Sequence, residues 1–446
     1  MGMRLDAASV TVKALMIGLI VLLLLIPLSM LRGVVSERSA LREQAYSRVA
    51  EGWGGNVALG GPMLIIPTER VVNDKDGTRV VRCDLYLLSA LLNVGSTLKL
   101  EAEPRYVGIY AVPVYLADVH LTGRFDFASL QPLLEEPGVT YLWAQSRLRL
   151  PLSQVRSLRE VRTARLGSED LKLGPAGPGA YRGVDAPVDL TELMKTESAA
   201  FDFRVVVAGS REFSILPLGS TTTVDLTSNW PHPSFQGAFL PANRSISEAG
   251  FEARWQVLEL NRSYAQTWME GDVDEAMLTA SGLGVGLYQP VDVYQRGERA
   301  IKYALLFIAL TFLTFFTWEQ IARIRLHPLQ YLLVGLALSM FYLLLIALSE
   351  HIAFAIAYSI AAISLVALIG AYIAGALQSS VRGAVAGGAM TAVYGLLYVL
   401  VLSEEYALLL GAIVLFSGLA AVMLVTRKLD WYAVSPAAPR TEADHP

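Results

Sequence analysis

The sequence predicts a membrane protein of the α + β class: an N-terminal signal-anchor helix, a large, mainly antiparallel, sandwich-like β domain, and a C-terminal five-helix transmembrane bundle. Three observations lead to this prediction. An apolar segment lies near the N terminus, a central region of short alternating strands follows, and a largely apolar block extends from Ala300 to Thr426. The composition agrees, because 54% of the 446 residues are hydrophobic and only 17% are charged.

The first apolar segment covers residues 14–31 and is interrupted only by Ser29. A helix needs about 20 such residues to cross a bilayer. A cleaved secretory signal has a shorter apolar core and a small-x-small cleavage site, so the pattern favours an uncleaved signal anchor. We therefore predict a cytoplasmic head over 1–13, a transmembrane helix over 14–32, and a polar helical stalk over 38–52.

Residues 33–299 are predicted to form the β-rich domain. Asp76-Gly77, between two valine pairs, is a hairpin signal. The apolar segments within 201–216, joined by Ala208-Gly209-Ser210, predict another hairpin. The glycine- and proline-rich stretch 174–183 is a candidate boundary between two lobes of this domain.

Five further spans are predicted within 300–426. They cover Ala300–Trp318, Leu329–Leu348, Ile352–Leu377, Ala384–Leu402 and Tyr406–Thr426. The basic residues of the short connections and the tail are Arg323, Arg325, Arg382, Arg427 and Lys428. The alternate connections hold no lysine or arginine, so the positive-inside rule predicts both termini, including the tail 427–446, in the cytoplasm and residues 33–299 outside.

Several long segments resemble the inner-membrane protein CreD family, a bacterial cell-envelope integrity family. They include HPLQYLLVGLALSMFYLLLIALSEH, SNWPHPSFQGAFLP and GFEARWQVLELNRSY. The resemblance departs around Trp53 and over 141–173. It implies a bacterial inner membrane, a periplasmic domain and a link to envelope stress, β-lactam response and colicin tolerance. It implies no catalytic activity and no cofactor.

The function predicted from these observations is support of the cell envelope through non-enzymatic contacts of the periplasmic domain with an envelope partner. The alternative is a lipid- or small-molecule-handling membrane protein, with the helical bundle as carrier and the β domain as receiver. The net charge of −4 argues against nucleic acid as a partner. The single Cys83 excludes an intramolecular disulfide, and the histidine spacing predicts no metal site.

One candidate partner-binding segment is the proline-rich loop 228–241, which carries Trp230, His232, Phe235 and Phe239. Aromatic side chains on a stiff backbone are typical of docking sites for a protein, lipid or glycan. The alternative is a corner in which these side chains complete the β core, and the abundance of large apolar residues favours this structural interpretation.

The candidate polar sites of the membrane block are Glu319, Arg323, Glu350, His351, Glu404 and Glu405. The four-residue spacing of Glu319 and Arg323 favours an interfacial ion pair over a buried functional carboxylate. The other four occupy two corresponding outer turns, for which solvation is favoured over a pH-sensitive or cation-binding cluster.

A ladder of small residues, spaced four positions apart, begins just before the predicted span Ala384–Leu402. Its members are Gly383, Gly387, Thr391 and Gly395. Small residues at this spacing favour close packing of a neighbouring helix over a substrate path.

Overall fold

The computed structural model describes residues 10–74, 77–134, 137–177, 181–287, 293–322, 326–403 and 406–426. Within these ranges, the residues up to Leu41 and from Val293 onward form one compact unit, here called the membrane unit. The residues from Arg42 to Leu287 form the other, here called the β unit.

The helices agree with the predicted class. They are α1 Val10–Trp53, α2 Gln131–Leu134, α3 Glu275–Ala280, α4 Val293–Ala322, α5 Pro328–Ser349, α6 Phe354–Ala376, α7 Ser380–Leu402 and α8 Ala407–Thr426. In length and composition, α1 and α4 to α7 could each cross a membrane, and α8 contains a shorter apolar stretch, Leu409–Gly418. The predicted stalk over 38–52 is a direct continuation of α1.

The strands alternate in direction along most of the β unit. They are β1 Val57–Gly60, β2 Met63–Asp74, β3 Gly77–Leu87, β4 Ser89–Leu100, β5 Arg105–Val107, β6 Tyr110–Val112, β7 Tyr115–Asp126, β8 Val139–Tyr141, β9 Arg147–Pro151, β10 Leu158–Leu166, β11 Glu169–Asp170, β12 Gly174–Pro175, β13 Gly183–Pro187, β14 Ser198–Gly209, β15 Glu212–Leu216, β16 Gly219–Ser228, β17 Pro233–Gly237, β18 Asn243–Ser247, β19 Gly250–Leu258, β20 Thr267–Met269 and β21 Leu283–Leu287.

These strands form four sheets. The eight-stranded sheet has the order β11-β10-β14-β7-β4-β16-β19-β18. The seven-stranded sheet has the order β12-β13-β9-β2-β3-β20, with β8 also beside β2. A four-stranded sheet has the order β1-β15-β21-β17, and β5 pairs with β6. Among the described strands only β1–β15 and β4–β16 pair in parallel, so the mainly antiparallel prediction is confirmed.

One hydrophobic core joins the larger sheets. Phe203 of the eight-stranded sheet and Leu64 of the seven-stranded sheet belong to the same buried cluster. Two sheets that bury alternate residues against each other form a sandwich. Leu150 and Val205, which flank the stretch 174–183 in sequence, also belong to this cluster. The same core therefore includes residues before and after that stretch, of which residues 178–180 lie outside the described ranges.

The predicted hairpin over 201–216 is wrong. Strand β14 lies between β10 and β7, whereas β15 pairs with β1 and β21 in a different sheet. The chain changes sheets at Gly209, where an added Cβ would lie 2.2 Å from the hydroxyl oxygen of Tyr115. The same sequence pattern, two strands joined by a short turn, is found in hairpins and where successive strands belong to different sheets. The hairpin predicted near Asp76-Gly77 joins β2 and β3, which pair antiparallel, although Asp76 itself lies outside the described residues.

Candidate functional sites

The aromatic segment 228–241 has one half packed into the β core. Phe235 meets Phe251 and Trp255 edge-on, with ring centroids 5.5 and 5.8 Å apart. The indole nitrogen of Trp255 donates a hydrogen bond to the carbonyl oxygen of Phe239 at 3.1 Å. Trp230, Phe235 and Phe239 are half-buried against the main core. These contacts fit the structural interpretation of the segment.

The other half of the segment is accessible. The indole nitrogen of Trp230 donates to the carbonyl oxygen of His232 at 2.9 Å, and the His232 side chain is exposed. Leu240 is 71% exposed. The chain then enters β18, whose five residues are all exposed and whose outer side pairs with no described strand. The segment therefore leads from the core to an open sheet edge.

A shallow pocket of about 440 Å³ lies beside this edge. Its lining is rich in hydroxyl groups and includes Thr97, Thr227, Ser228, Ser245 and Ser247. Asn229 also lines it and accepts a hydrogen bond from the Leu100 amide at 2.9 Å, which fixes the start of the aromatic segment. We use the name β18 edge for the pocket, the exposed residues His232 and Leu240, and strand β18.

Glu319 of α4 is buried in the membrane unit, with 4% of its side chain exposed. Its Oε1 binds the ammonium group of Lys13 and accepts a hydrogen bond from the Leu326 amide at 3.1 Å. Its Oε2 accepts a hydrogen bond from the Tyr331 hydroxyl at 2.9 Å. The carboxylate therefore ties α1, α4 and α5 together. The partner predicted for it, Arg323, lies outside the described residues.

Sequence reasoning missed Lys13 as the cation of this pair, because 306 positions separate it from Glu319. A usable signal does exist. Lys13 stands directly before the first apolar segment, and Glu319 stands directly after the second. If successive spans run in opposite directions, both residues lie at the same membrane face. An unpaired buried charge is costly there, so the two opposite charges are expected to pair.

The sequence predicts that Glu350 is a solvated turn residue, and the structure contradicts this prediction. Only 10% of its side chain is exposed, since its Oε1 accepts a hydrogen bond from the Tyr294 hydroxyl at 3.2 Å and lies 3.4 Å from Nε of Arg38. The adjacent His351 is exposed. Glu404 and Glu405 lie outside the described residues. No group of three or more acidic, histidine or cysteine side chains suited to a metal ion occurs within the described ranges.

The small-residue ladder of α7 does not follow one packed face. At Gly383 an added Cβ would lie 2.6 Å from the Ala374 Cβ of α6, whereas at Gly395 no heavy atom of the described chain lies within 4 Å. Thr391 is exposed, and its hydroxyl donates to the carbonyl oxygen of Gly387 at 2.9 Å. With 3.6 residues per turn, each four-residue step rotates by roughly 40°, so the ladder turns away from α6. Close packing therefore applies to its first residue and not to its last two.

These features define a class: an integral membrane protein with an N-terminal apolar helix, a mainly antiparallel β unit and C-terminal apolar helices. The family model described as inner membrane protein CreD matches residues 9–432. The chain is 34% identical over 423 residues to the inner membrane protein CreD of Escherichia coli (strain K12), covering 93% of this chain and 92% of that relative. The chain belongs to the CreD family, and it is a membrane protein of the cell envelope.

Proposed function

We propose that this protein supports cell-envelope integrity under stress, including β-lactam and colicin exposure, by non-enzymatic contacts between its β unit and another envelope component. The proposal places residues 33–299 in the periplasm and both termini in the cytoplasm. The absence of lysine and arginine from the alternate connections supports this orientation. The Lys13–Glu319 pair supports the opposite directions of α1 and α4 that this arrangement needs, because it brings the start of α1 to the end of α4.

The observation that carries the proposal is the exposed β18 edge. An outermost strand offers a row of backbone donors and acceptors that an extended segment of another chain can pair with. The strand follows Leu240, which is 71% exposed, and contains Ile246, which is 50% exposed. Apolar side chains beside an accessible strand edge add affinity to the backbone pairing, so the partner we propose is a protein of the periplasm or envelope.

The test is photo-cross-linking in living cells. A photoreactive amino acid is placed at Leu240 or Ile246, and at Val80 as a control, since Val80 is 59% exposed on a different sheet. We expect one envelope protein to be captured from the first two positions and not from the third. The variant Ile246→Asp should reduce both that capture and β-lactam tolerance, while Val80→Asp should leave both unchanged. Equal capture from all three positions would reject the β18 edge as the contact surface.

The alternative, a lipid- or small-molecule-handling protein, draws support from the buried carboxylate of Glu319. A double variant that removes both charges, Lys13→Met with Glu319→Gln, distinguishes the two proposed functions. A contact protein should keep its envelope phenotype when this variant accumulates normally in the membrane. Loss of the phenotype at normal abundance, together with recovery of only lipid by cross-linking, would favour the alternative. The variants Glu350→Ala and Glu404→Ala apply the same test to the outer turns.

A further inference from the structure

A pocket of about 750 Å³ lies within the membrane unit between α1 and α4. The residues of its lining that matter here are Arg32, Ser36, Ser39, Glu298, Arg299 and Lys302. Its floor includes Val35 and Ile301, which are 3% and 1% exposed. The volume lies within the range of small-molecule sites, roughly 300–1,000 Å³.

The position of this pocket along both helices sets its depth in the membrane. Arg32 directly follows the apolar segment 14–31 of α1, and Lys302 directly precedes the apolar part of α4, residues 303–317. Both basic residues therefore lie where the hydrocarbon layer ends, which is the level of the lipid headgroups. Arg32 and Lys302 are exposed, and Arg299 is half-buried.

The charges of the lining are unbalanced. Two exposed side chains carry a positive charge, Arg32 and Lys302, against the single carboxylate of Glu298. Arg38, in the same part of α1, already lies 3.4 Å from Glu350, and Arg299 also has an interaction of its own, so neither adds to this excess. Guanidinium groups match the geometry of phosphate oxygens, and serine hydroxyls can donate to the same oxygens.

We propose that this pocket binds the phosphate group of an anionic phospholipid. The apolar floor would meet the upper part of the acyl chains, and the basic rim would hold the headgroup. This assignment does not depend on the β18 edge, and its test does not use the envelope phenotype. It is therefore independent of the proposed function.

The first experiment titrates the purified full chain, in a neutral detergent, with short-chain phosphatidylglycerol, short-chain phosphatidylcholine and inorganic phosphate. Bound lipid is counted by native mass spectrometry. We expect phosphatidylglycerol to bind more tightly than phosphatidylcholine, whose headgroup has no net charge. Displacement of phosphatidylglycerol by equimolar inorganic phosphate would overturn the lipid assignment in favour of a soluble phosphate, and equal binding of the two lipids would overturn the anionic one.

The second experiment uses the sign of the charge at the pocket. Each basic residue near a membrane surface contributes about a five-fold change in affinity for anionic lipid. Arg32→Gln and Lys302→Gln should each weaken phosphatidylglycerol binding roughly five-fold, while Glu298→Gln should strengthen it several-fold. A gain in affinity cannot come from misfolding.

The matched control is Arg382→Gln. Arg382 is an exposed arginine at the start of α7, outside the pocket lining. We expect its binding of phosphatidylglycerol to equal that of the unaltered chain. If this variant weakens binding as much as Arg32→Gln does, or if Glu298→Gln weakens binding, the pocket is not the site.

Discussion

At the scale of single residues, the Lys13–Glu319 pair carries the clearest energetic consequence. Both side chains are largely removed from solvent, at 17% and 4% exposure. Removing one partner of a buried pair leaves the other charge uncompensated, at a cost of about 3–5 kcal/mol. We expect Lys13→Met to destabilise the membrane unit by about this amount and to lower its thermal unfolding temperature in detergent.

A double-mutant cycle provides the control for this prediction. Adding Glu319→Gln to Lys13→Met removes the remaining charge, while the side-chain amide keeps an oxygen for the Tyr331 hydroxyl. The double variant should therefore be more stable than Lys13→Met alone. Strictly additive losses in the cycle would show that the two charges do not interact.

A second residue-scale prediction concerns acid stability in the β unit. Hydrogen bonds from the Arg204 guanidinium to both oxygens of Asp118, each 3.0 Å long, are the main cause that lowers the pKa of Asp118 below its ordinary 3.8. The nearby Arg162 lowers this pKa further. A carboxyl group with a lowered pKa stabilises the fold above pH 3.8, and that contribution is lost as the pH falls through the folded-state pKa.

The measurement is the free energy of unfolding of Asp118→Asn and of the unaltered chain between pH 3 and pH 7. At neutral pH we expect the variant to be less stable by up to about 1 kcal/mol, because the pair is partly exposed. The difference should shrink towards zero at the acid end. Arg204→Gln should show the same convergence. A difference that stays constant with pH would assign the effect to packing instead of charge.

At the scale of elements, α6 and α7 offer a matched pair of glycines. A Cβ at Gly383 would lie 2.6 Å from Ala374 and 2.7 Å from the carbonyl oxygen of Gly370, so Gly383→Ala must separate the helices. Such overpacking costs about 1–3 kcal/mol. Gly395→Ala meets no described atom within 4 Å, and alanine favours a helix over glycine by about 0.5–1 kcal/mol. The thermal unfolding temperature in detergent should therefore fall for Gly383→Ala and stay level or rise for Gly395→Ala.

The elements also show what local sequence can and cannot predict. The apolar helices follow from composition, and the β2–β3 hairpin follows from its turn residues. The exchange between sheets at Gly209 does not follow, because Gly209 lies against Tyr115, which is on a strand 94 positions earlier in the sequence. The Glu319 site was recognised as a buried-carboxylate alternative, but its cation was not, since pairing between distant segments leaves no periodic pattern. For Lys13 and Glu319 the sequence signal lies in their positions at the ends of two successive apolar segments, whereas the local pattern around Gly209 holds no such signal.

At the scale of the whole molecule, the proposed orientation has a direct test that uses the single native cysteine. In a Cys83→Ser background, one cysteine is introduced either at Leu260, which is 92% exposed in the β unit, or at Arg382, which is exposed at the start of α7. A membrane-impermeant maleimide is applied to intact spheroplasts. We expect Leu260→Cys to react at once and Arg382→Cys to react only after the membrane is permeabilised.

This outcome follows from two independent constraints on the same chain. The positive-inside rule assigns Arg382, at the start of α7, to the cytoplasmic side. The Lys13–Glu319 and Arg38–Glu350 pairs require α1 and α4 to run in opposite directions, with α5 returning towards Arg38. A periplasm-only reporter fused after Arg382 should accordingly stay silent. Labelling of Arg382→Cys in intact spheroplasts, or an active reporter at that point, would reverse the orientation and remove the β18 edge from the periplasm.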